Sequence, residues 1–136
     1  MKNIINACSL LLVACLCFSS CKKEEDEGKL PNISFKTDAG YTSGDATVAK
    51  NTAVKIGIVA SKAEDNDLLT KFTIVRSVNG GADSTMYTED LAGSKGDNYS
   101  YDLSTSTTTA QSEKYTFSVV NKDGLINKVS LTLNVE

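Results

Sequence analysis

The chain has 136 residues, with 14 Lys and Arg against 17 Asp and Glu, a formal charge of −3, and neither His nor Trp. Mild acidity and a single arginine, Arg76, argue against nucleic-acid binding, which needs clustered basic residues. The lack of His removes the commonest general base and zinc ligand, and the lack of Trp removes a strong sugar-stacking ring.

The N-terminal segment predicts a secretion signal. Lys2 supplies a positive start, and residues 7–18 form an apolar run within the length of about 7–15 residues that signal peptides use. This run is too short to span a bilayer, which takes about 20 apolar residues. The small residues Ser19 and Ser20 stand directly before Cys21. The arrangement resembles the lipobox of bacterial lipoproteins, in which a peptidase cleaves in front of a lipid-modified cysteine.

A second cysteine, Cys15, follows residues 12–14 and also fits the lipobox pattern, but cleavage there would leave a very short apolar run. We therefore predict that residues 1–20 are a removed signal peptide and that Cys21 carries the lipid. The resemblance implies a diacylglyceryl thioether and an N-acyl group, such as palmitate, on this residue. Because one acyl chain gives only marginal binding, several chains are needed for stable anchoring in the outer membrane.

A charged segment follows the cysteine directly and consists of Lys22, Lys23, Glu24, Glu25, Asp26 and Glu27. It resembles the surface-export signal of Bacteroidetes lipoproteins, which implies a lipid-anchored protein facing outward from the cell. A solvated spacer is the alternative, and it would leave the protein on the periplasmic face. We expect residues 21–30 to be the lipidated cysteine with a flexible acidic tether, and residues 31–136 to be one domain.

All four cysteines lie at or before Cys21, so the predicted domain has no disulfide and no thiolate metal site. Its hydrophobic core alone must hold the fold together. Removal of residues 1–20 takes away Lys2 and no acid, which leaves 13 basic against 17 acidic residues and a formal charge of −4.

After Pro31 the apolar residues recur with period two, which predicts an all-β domain. The clearest strand is residues 53–61, and turn signals separate the segments every eight to twelve residues. We predict an immunoglobulin-like two-sheet sandwich of about seven antiparallel strands. Seven strands are expected at residues 33–35, 53–61, 69–78, 84–91, 99–103, 113–121 and 125–136. A further short strand could form at residues 46–48.

Three segments carry a family resemblance: residues 69–74, the turn at 79–81, and residues 115–124. They resemble uncharacterised Ig-like surface lipoproteins of Bacteroidetes. The resemblance implies a fold and a location. It implies no ligand, because the matching residues are those of strands and turns.

An acidic loop offers a weak calcium hypothesis. Glu64, Asp65 and Asp67 could supply oxygen ligands, of which Ca²⁺ takes six to eight. The spacing does not match an EF-hand, and ordinary solvation of a strand connection is the preferred explanation of these acids. We expect no other metal and no cofactor beyond the lipid.

Four tyrosines form the possible ligand-binding set. Tyr99 and Tyr101 alternate with polar residues, and Tyr41 and Tyr87 could join them as a platform for a glycan. The alternative is that Tyr99 and Tyr101 belong to the buried face of a strand. Tyr115 is expected at a strand corner, where its hydroxyl would bond to the backbone.

No catalytic constellation is visible. Glu89 and Asp90 are adjacent in a strand and would point to opposite faces, and no His is present to activate a serine. We expect a non-enzymatic cell-surface module that binds a protein or glycan partner, or acts structurally in adhesion. Its contacts would be the loops at the sandwich ends, at residues 38–45, 62–67, 93–98 and 104–112.

A small carbohydrate-binding accessory protein of an outer-membrane glycan uptake system is the alternative function. The strand after Pro31 could also lie at a sheet edge and pair with another chain to give a dimer or filament. The sequence leaves the partner and the oligomeric state open.

Overall fold

The period-two apolar pattern forms two facing β-sheets. A computed structural model describes residues 28–136, and the predicted signal peptide, Cys21 and the charged segment 22–27 lie outside the described residues. The elements are β1 (Asn32–Phe35), β2 (Ala46–Val48), β3 (Val54–Ser61), β4 (Leu69–Val78), β5 (Ser84–Asp90), α1 (Ser94–Asp97), β6 (Asn98–Thr105), β7 (Gln111–Asn121) and β8 (Ile126–Val135).

One sheet has the strand order β1-β3-β6 and the other has the order β2-β8-β7-β4-β5. The all-β, Ig-like two-sheet prediction is confirmed. Residues 28–136 contain eight strands, and all pairs are antiparallel except β2 with β8. The parallel pair arises because the chain crosses from one sheet to the other after β1, so that β2 runs in the direction of β8. As predicted, β1 is an edge strand.

The core lies between the sheets and is built from alternating positions of β3, β4, β7 and β8. On β3, every second residue from Val54 to Ala60 is buried, as the sequence predicts. The largest fully buried apolar side chains are Tyr115, Phe72, Phe117, Ile56, Ile58, Leu69, Ile74, Leu131 and Leu133. The period-two alternation that predicts the strands is therefore present as alternating burial on β3, β7 and β8.

The connections sort into two ends of the sandwich. The proximal end, where the chain enters β1, carries the connections 62–68, 91–97 and 122–125. The distal end carries 49–53, 79–83 and 106–110. The predicted 79–81 turn is confirmed by positive φ at Asn79 (50°) and Gly80 (71°), which Asn and Gly tolerate best. The predicted loop at 93–98 contains the single helical turn α1.

Residues 28–31 are attached to the proximal end. The Asn121 side chain donates to the Lys29 carbonyl at 3.1 Å, and the Asn127 side chain donates to the Pro31 carbonyl at 2.8 Å. Lys29 also forms an ion pair with Glu64 at 2.8 Å. The last residues of the predicted tether therefore already belong to the folded domain.

Candidate functional site

Three of the four candidate tyrosines meet where the edge strands β5 and β6 approach each other. The ring centroids of Tyr99 and Tyr101 lie 5.0 and 5.3 Å from that of Phe72, and those of Tyr87 and Tyr101 lie 4.8 Å apart. Tyr99 is buried, whereas Tyr87 and Tyr101 are half-buried. Tyr99 therefore packs in the core, and of these three tyrosines Tyr87 and Tyr101 are the two that present aromatic surface.

Glu89 is the polar centre of this edge. It accepts hydrogen bonds from the hydroxyls of Tyr87 (2.9 Å) and Tyr99 (2.5 Å), and Lys95 of α1 forms an ion pair with it. The bond from Lys95 lowers the pKa of Glu89 most, the two tyrosines lower it further, and together they bring it to about 2. Burial and the bond to Glu89 raise the pKa of Tyr99. Neither group is poised to exchange a proton near neutral pH.

Tyr41 lies elsewhere, on the outer face of the three-stranded sheet. Its hydroxyl donates to Asp102 at 2.8 Å, and the ammonium groups of Lys36 and Lys55 lie 5.3 and 4.5 Å from its ring centroid. On β6, Asp102 alternates with the inward-facing Tyr101, so Tyr41 and Tyr101 are on opposite faces of the sheet. The four tyrosines do not form one stacking platform.

The space for Tyr41 exists because residue 57 is glycine. A Cβ on Gly57 would lie 2.5 Å from Tyr41 Cε1 and 2.6 Å from Lys36 Cδ. Asp102 also pairs with Lys36 at 2.6 Å and Lys55 at 3.1 Å. The bonds from Lys36 and then Tyr41 are the main causes that lower the pKa of Asp102 to about 2.

A groove of about 630 Å³ lies at the proximal half of the three-stranded sheet. This is within the size range of small-ligand sites, roughly 300–1,000 Å³. Its lining carries no Asp, Glu, Lys or Arg and combines amide and hydroxyl side chains with apolar ones: Asn32, Ile33, Ser34, Val59, Ala60, Ser61, Asn98, Tyr99, Ser100 and Asn127. Such a surface suits an uncharged, hydroxyl-rich ligand.

The acids of the calcium hypothesis do not converge on a shared centre. Glu64 pairs with Lys29, Asp65 lies 3.7 Å from the Lys62 ammonium, and the buried Asp67 accepts from the Asn121 side chain. Across residues 28–136 no group of three or more acidic, His or Cys residues is arranged to hold a metal ion.

Glu113 is a site residue that the sequence analysis missed. Its carboxylate is buried and accepts from Tyr115, Gln111 and Thr107. Burial alone raises the pKa of Glu113, but the bonds from these three donors outweigh it and hold the pKa below its usual value. The sequence pattern could have indicated this burial, because Glu113 lies on the same face of β7 as the buried Tyr115 and Phe117.

Tyr115 has a different role from the one predicted. Its hydroxyl bonds to the Glu113 carboxylate and lies 3.2 Å from the Thr105 hydroxyl. It therefore ties β7 to the end of β6 through side chains, whereas the prediction gave it a backbone acceptor.

The predicted contact loops separate between the two ends. Residues 62–67 and 93–98 lie at the proximal end, and residues 104–112 lie at the distal end. Residues 38–45 run along the side, where the backbone N–H of Thr42 donates to the Lys55 carbonyl at 2.8 Å. The lipidation residue Cys21 and the export segment 22–27 lie outside the described residues. In the part that is described, no helix has the length and apolar character to cross a membrane.

No protein-family profile matches this chain, and neither does any curated protein sequence. Among solved structures, superoxide reductase (neelaredoxin) from Ignicoccus hospitalis is similar, with 8% identity, a TM-score of 0.52 and coverage of 79% of this chain and 81% of that one. The sporulation control protein Spo0M from Bacillus subtilis has 6% identity, a TM-score of 0.50 and coverage of 79% and 50%.

A CARDB domain from Pyrococcus furiosus has 11% identity, a TM-score of 0.46 and coverage of 79% of this chain and 99% of that domain. At these identities, the likeness of this chain to the superoxide reductase and to Spo0M shows a shared fold alone. It carries no activity, ligand or partner over to this chain.

Proposed function

We propose that the protein is a non-enzymatic lipoprotein of the bacterial outer membrane, anchored through Cys21 and facing outward, which binds a partner or acts structurally through loops of its sandwich. The lipobox-like sequence before Cys21 and the charged residues 22–27 support the anchor and the outward location. The charge balance and the paired acids of the described domain fit a binding module better than an acid–base enzyme.

The observation that carries the proposal is the attachment of residues 28–31 at one end of the sandwich. With the chain leaving toward Cys21 from the proximal end, the distal connections 49–53, 79–83 and 106–110 extend in the opposite direction. Backbone hydrogen bonds hold these connections in place. The Asn51 N–H donates to the Thr107 carbonyl at 2.9 Å, and the Asn79 N–H donates to the Ser112 carbonyl at 2.8 Å. Rigid strands that present adjoining loops in this way suit partner recognition.

Protease shaving of intact cells tests the anchor and the location together. Cells that produce the native protein or a Cys21→Ala variant are treated with protease beside a periplasmic control protein, and the mature N-terminus is analysed by mass. We expect release of the native domain with the control intact, and acyl mass on Cys21. Protection of the native domain would contradict the outward location, and acyl mass on Cys15 would contradict the anchor residue.

A carbohydrate-binding accessory protein of a glycan uptake system is the second candidate. The groove of about 630 Å³ with its amide and hydroxyl lining favours it, since these groups pair well with sugar hydroxyls. A glycan array tests this candidate. It compares the native protein with Ser100→Trp, which fills the groove, and with Tyr87→Ala, which alters the edge strand β5 of the other sheet. Binding lost only in Ser100→Trp supports the groove; no binding by the native protein argues against the candidate.

A further inference from the structure

The apolar residues that remain exposed are unevenly distributed over the domain. Within residues 28–136, the large apolar side chains more than a third exposed are Leu30 (55%), Val59 (43%), Leu68 (38%), Met86 (41%) and Ile126 (58%). Single exposed apolar residues are ordinary and need no explanation. Leu30, Leu68 and Ile126, however, all lie at the proximal end, from which the chain leaves toward Cys21.

These three residues gather around one segment, residues 121–127. Leu68 accepts a backbone hydrogen bond from Lys122 at 2.8 Å, and Ile126 lies within the segment itself. Leu30 stands between two residues whose carbonyls accept from the side chains of Asn121 and Asn127. The backbone at these three positions is therefore linked to one short segment of the proximal end, and we call the three residues together the proximal apolar patch.

The length of chain between the patch and the predicted lipid limits what can cover the patch. Seven residues lead from Cys21 to Gly28, and even fully extended they reach about 25 Å. A short tether of this kind holds the two sites it joins at an effective concentration in the millimolar range. A weak contact between the patch and the lipid surface is then enough to keep the proximal end of the domain on the bilayer.

The charged groups beside the patch favour an apolar contact over an electrostatic one. Lys29 pairs with Glu64, Lys62 pairs with Asp97 at 2.7 Å, and the Lys122 ammonium donates to the Asn66 carbonyl at 2.8 Å. Of these three lysines, Lys29 and Lys62 have their charge offset by a carboxylate, and only Lys122 is bonded to a neutral carbonyl, so their combined attraction for anionic headgroups is small.

We propose that the proximal apolar patch, formed by Leu30, Leu68 and Ile126, rests on the bilayer surface beside the lipidated cysteine and so holds the domain upright. The distal connections then point away from the membrane. This inference rests on the proposed lipid anchor at Cys21. It assigns the 62–67 and 93–98 loops to the membrane side and leaves the distal end for a partner.

Energy transfer from the domain to the bilayer tests the seating. The lipidated protein is reconstituted in phosphatidylcholine vesicles that contain a lipid-linked acceptor dye, with a donor dye on a single introduced cysteine at Asn66→Cys (proximal) or Asp83→Cys (distal). We expect at least twofold higher transfer from position 66 than from position 83. Addition of phosphatidylglycerol should leave that ratio unchanged.

The decisive variant carries Leu30→Ser, Leu68→Ser and Ile126→Ser, and its matched control carries Val59→Ser and Met86→Ser, which alter exposed apolar residues elsewhere. The patch variant should reduce the ratio of the two transfer efficiencies, because only the tether then orients the domain, whereas the control should retain the native ratio. Circular dichroism verifies that both remain folded.

An unchanged ratio in the patch variant would overturn the proposal, as would equal transfer from both positions in the native protein. A failure of the anchor itself is distinguishable, because protein without acyl chains does not float with the vesicles at all.

Discussion

Replacement of the buried Glu113 measures what a charged group contributes inside this core. Its carboxylate accepts from the Tyr115 hydroxyl at Oε2, and from Thr107 (2.8 Å) and Gln111 (2.5 Å) at Oε1. Arg76 lies 3.9 Å from Oε1 and adds a weaker attraction. We expect Glu113→Gln to fold and to be less stable, since the amide keeps one acceptor oxygen and loses the charge.

The magnitude follows from the bonds that survive. A glutamine oxygen can still accept from Thr107 and Gln111, and the Tyr115 hydroxyl can turn toward Thr105, 3.2 Å away. A hydrogen bond to a charged group contributes about 1.5–3 kcal/mol, so we expect a loss of about 1–3 kcal/mol. Glu113→Leu removes the acceptor of all three donors, and because each buried donor left unsatisfied costs about 1–3 kcal/mol, it should cost more than Glu113→Gln, about 3–5 kcal/mol.

Urea unfolding of the purified protein, followed by far-UV circular dichroism, measures these differences. For a slope of about 1–2 kcal/mol per molar urea, a loss of about 2 kcal/mol lowers the midpoint by about 1–2 M. The exposed Asp83→Asn is the matched control and should change stability by less than about 0.5 kcal/mol.

The pH dependence of the stability difference between the native protein and Glu113→Gln provides a test that can refute this reasoning. The folded pKa of Glu113 is below its unfolded value, so its contribution is present above the unfolded pKa and disappears as the pH falls through the folded pKa. The stability gap between the native protein and Glu113→Gln should therefore narrow in acid. A variant as stable as the native protein at pH 7, or a gap that widens in acid, would refute the reasoning.

Three further predictions concern the packing of Phe72 in the core, the close approach of Tyr41 to Gly57, and the stability of the protein in acid. Phe72→Ala should lower the free energy of unfolding by about 3–5 kcal/mol and Phe72→Leu by about 1–2, measured by urea unfolding, because leucine keeps most of the volume; equal losses would contradict this. Gly57→Ala should cost about 1–3 kcal/mol by displacing Tyr41, and most of that loss should vanish in a Tyr41→Ala background, so an undiminished loss there would place the strain elsewhere. Glu89 and Asp102 have folded pKa values of about 2 against 4.5 and 3.8, so they stabilise above those ordinary values and stop doing so as the pH falls toward 2. Glu89→Gln with Asp102→Asn should flatten the stability curve between about pH 5 and 2, and an unchanged slope would count against those pairings.

Local alternation made most of the fold predictable from the sequence. Successive side chains of a strand point to opposite faces, so the spacing of Val54, Ile56 and Ile58, and of Tyr115 and Phe117, is enough to assign the buried faces. The 79–81 turn was predictable for a similar reason, because Asn and Gly are the residues that tolerate positive φ. These signals act over a few neighbouring residues and need no tertiary information.

The candidate site was only partly predictable. The sequence placed Tyr99 and Tyr101 on one face, and the facing sheet decided that Phe72 would cover them. Alternation along β7 places Glu113 on the inward face. A carboxylate is stable there only because the fold brings hydrogen-bond donors such as Thr107 and Tyr115 to it.

What the sequence by itself determined about this protein is the all-β class, the strand faces and the turns, together with the expectation of a lipid anchor at Cys21. The tertiary structure alone decided which distant residues meet. Tyr41 reaches Asp102 across 61 positions, and Asn121 reaches Lys29 across 92. The physical reason is that alternation fixes the direction of a side chain relative to its own strand, whereas a contact also needs the order and register of strands far apart in the chain.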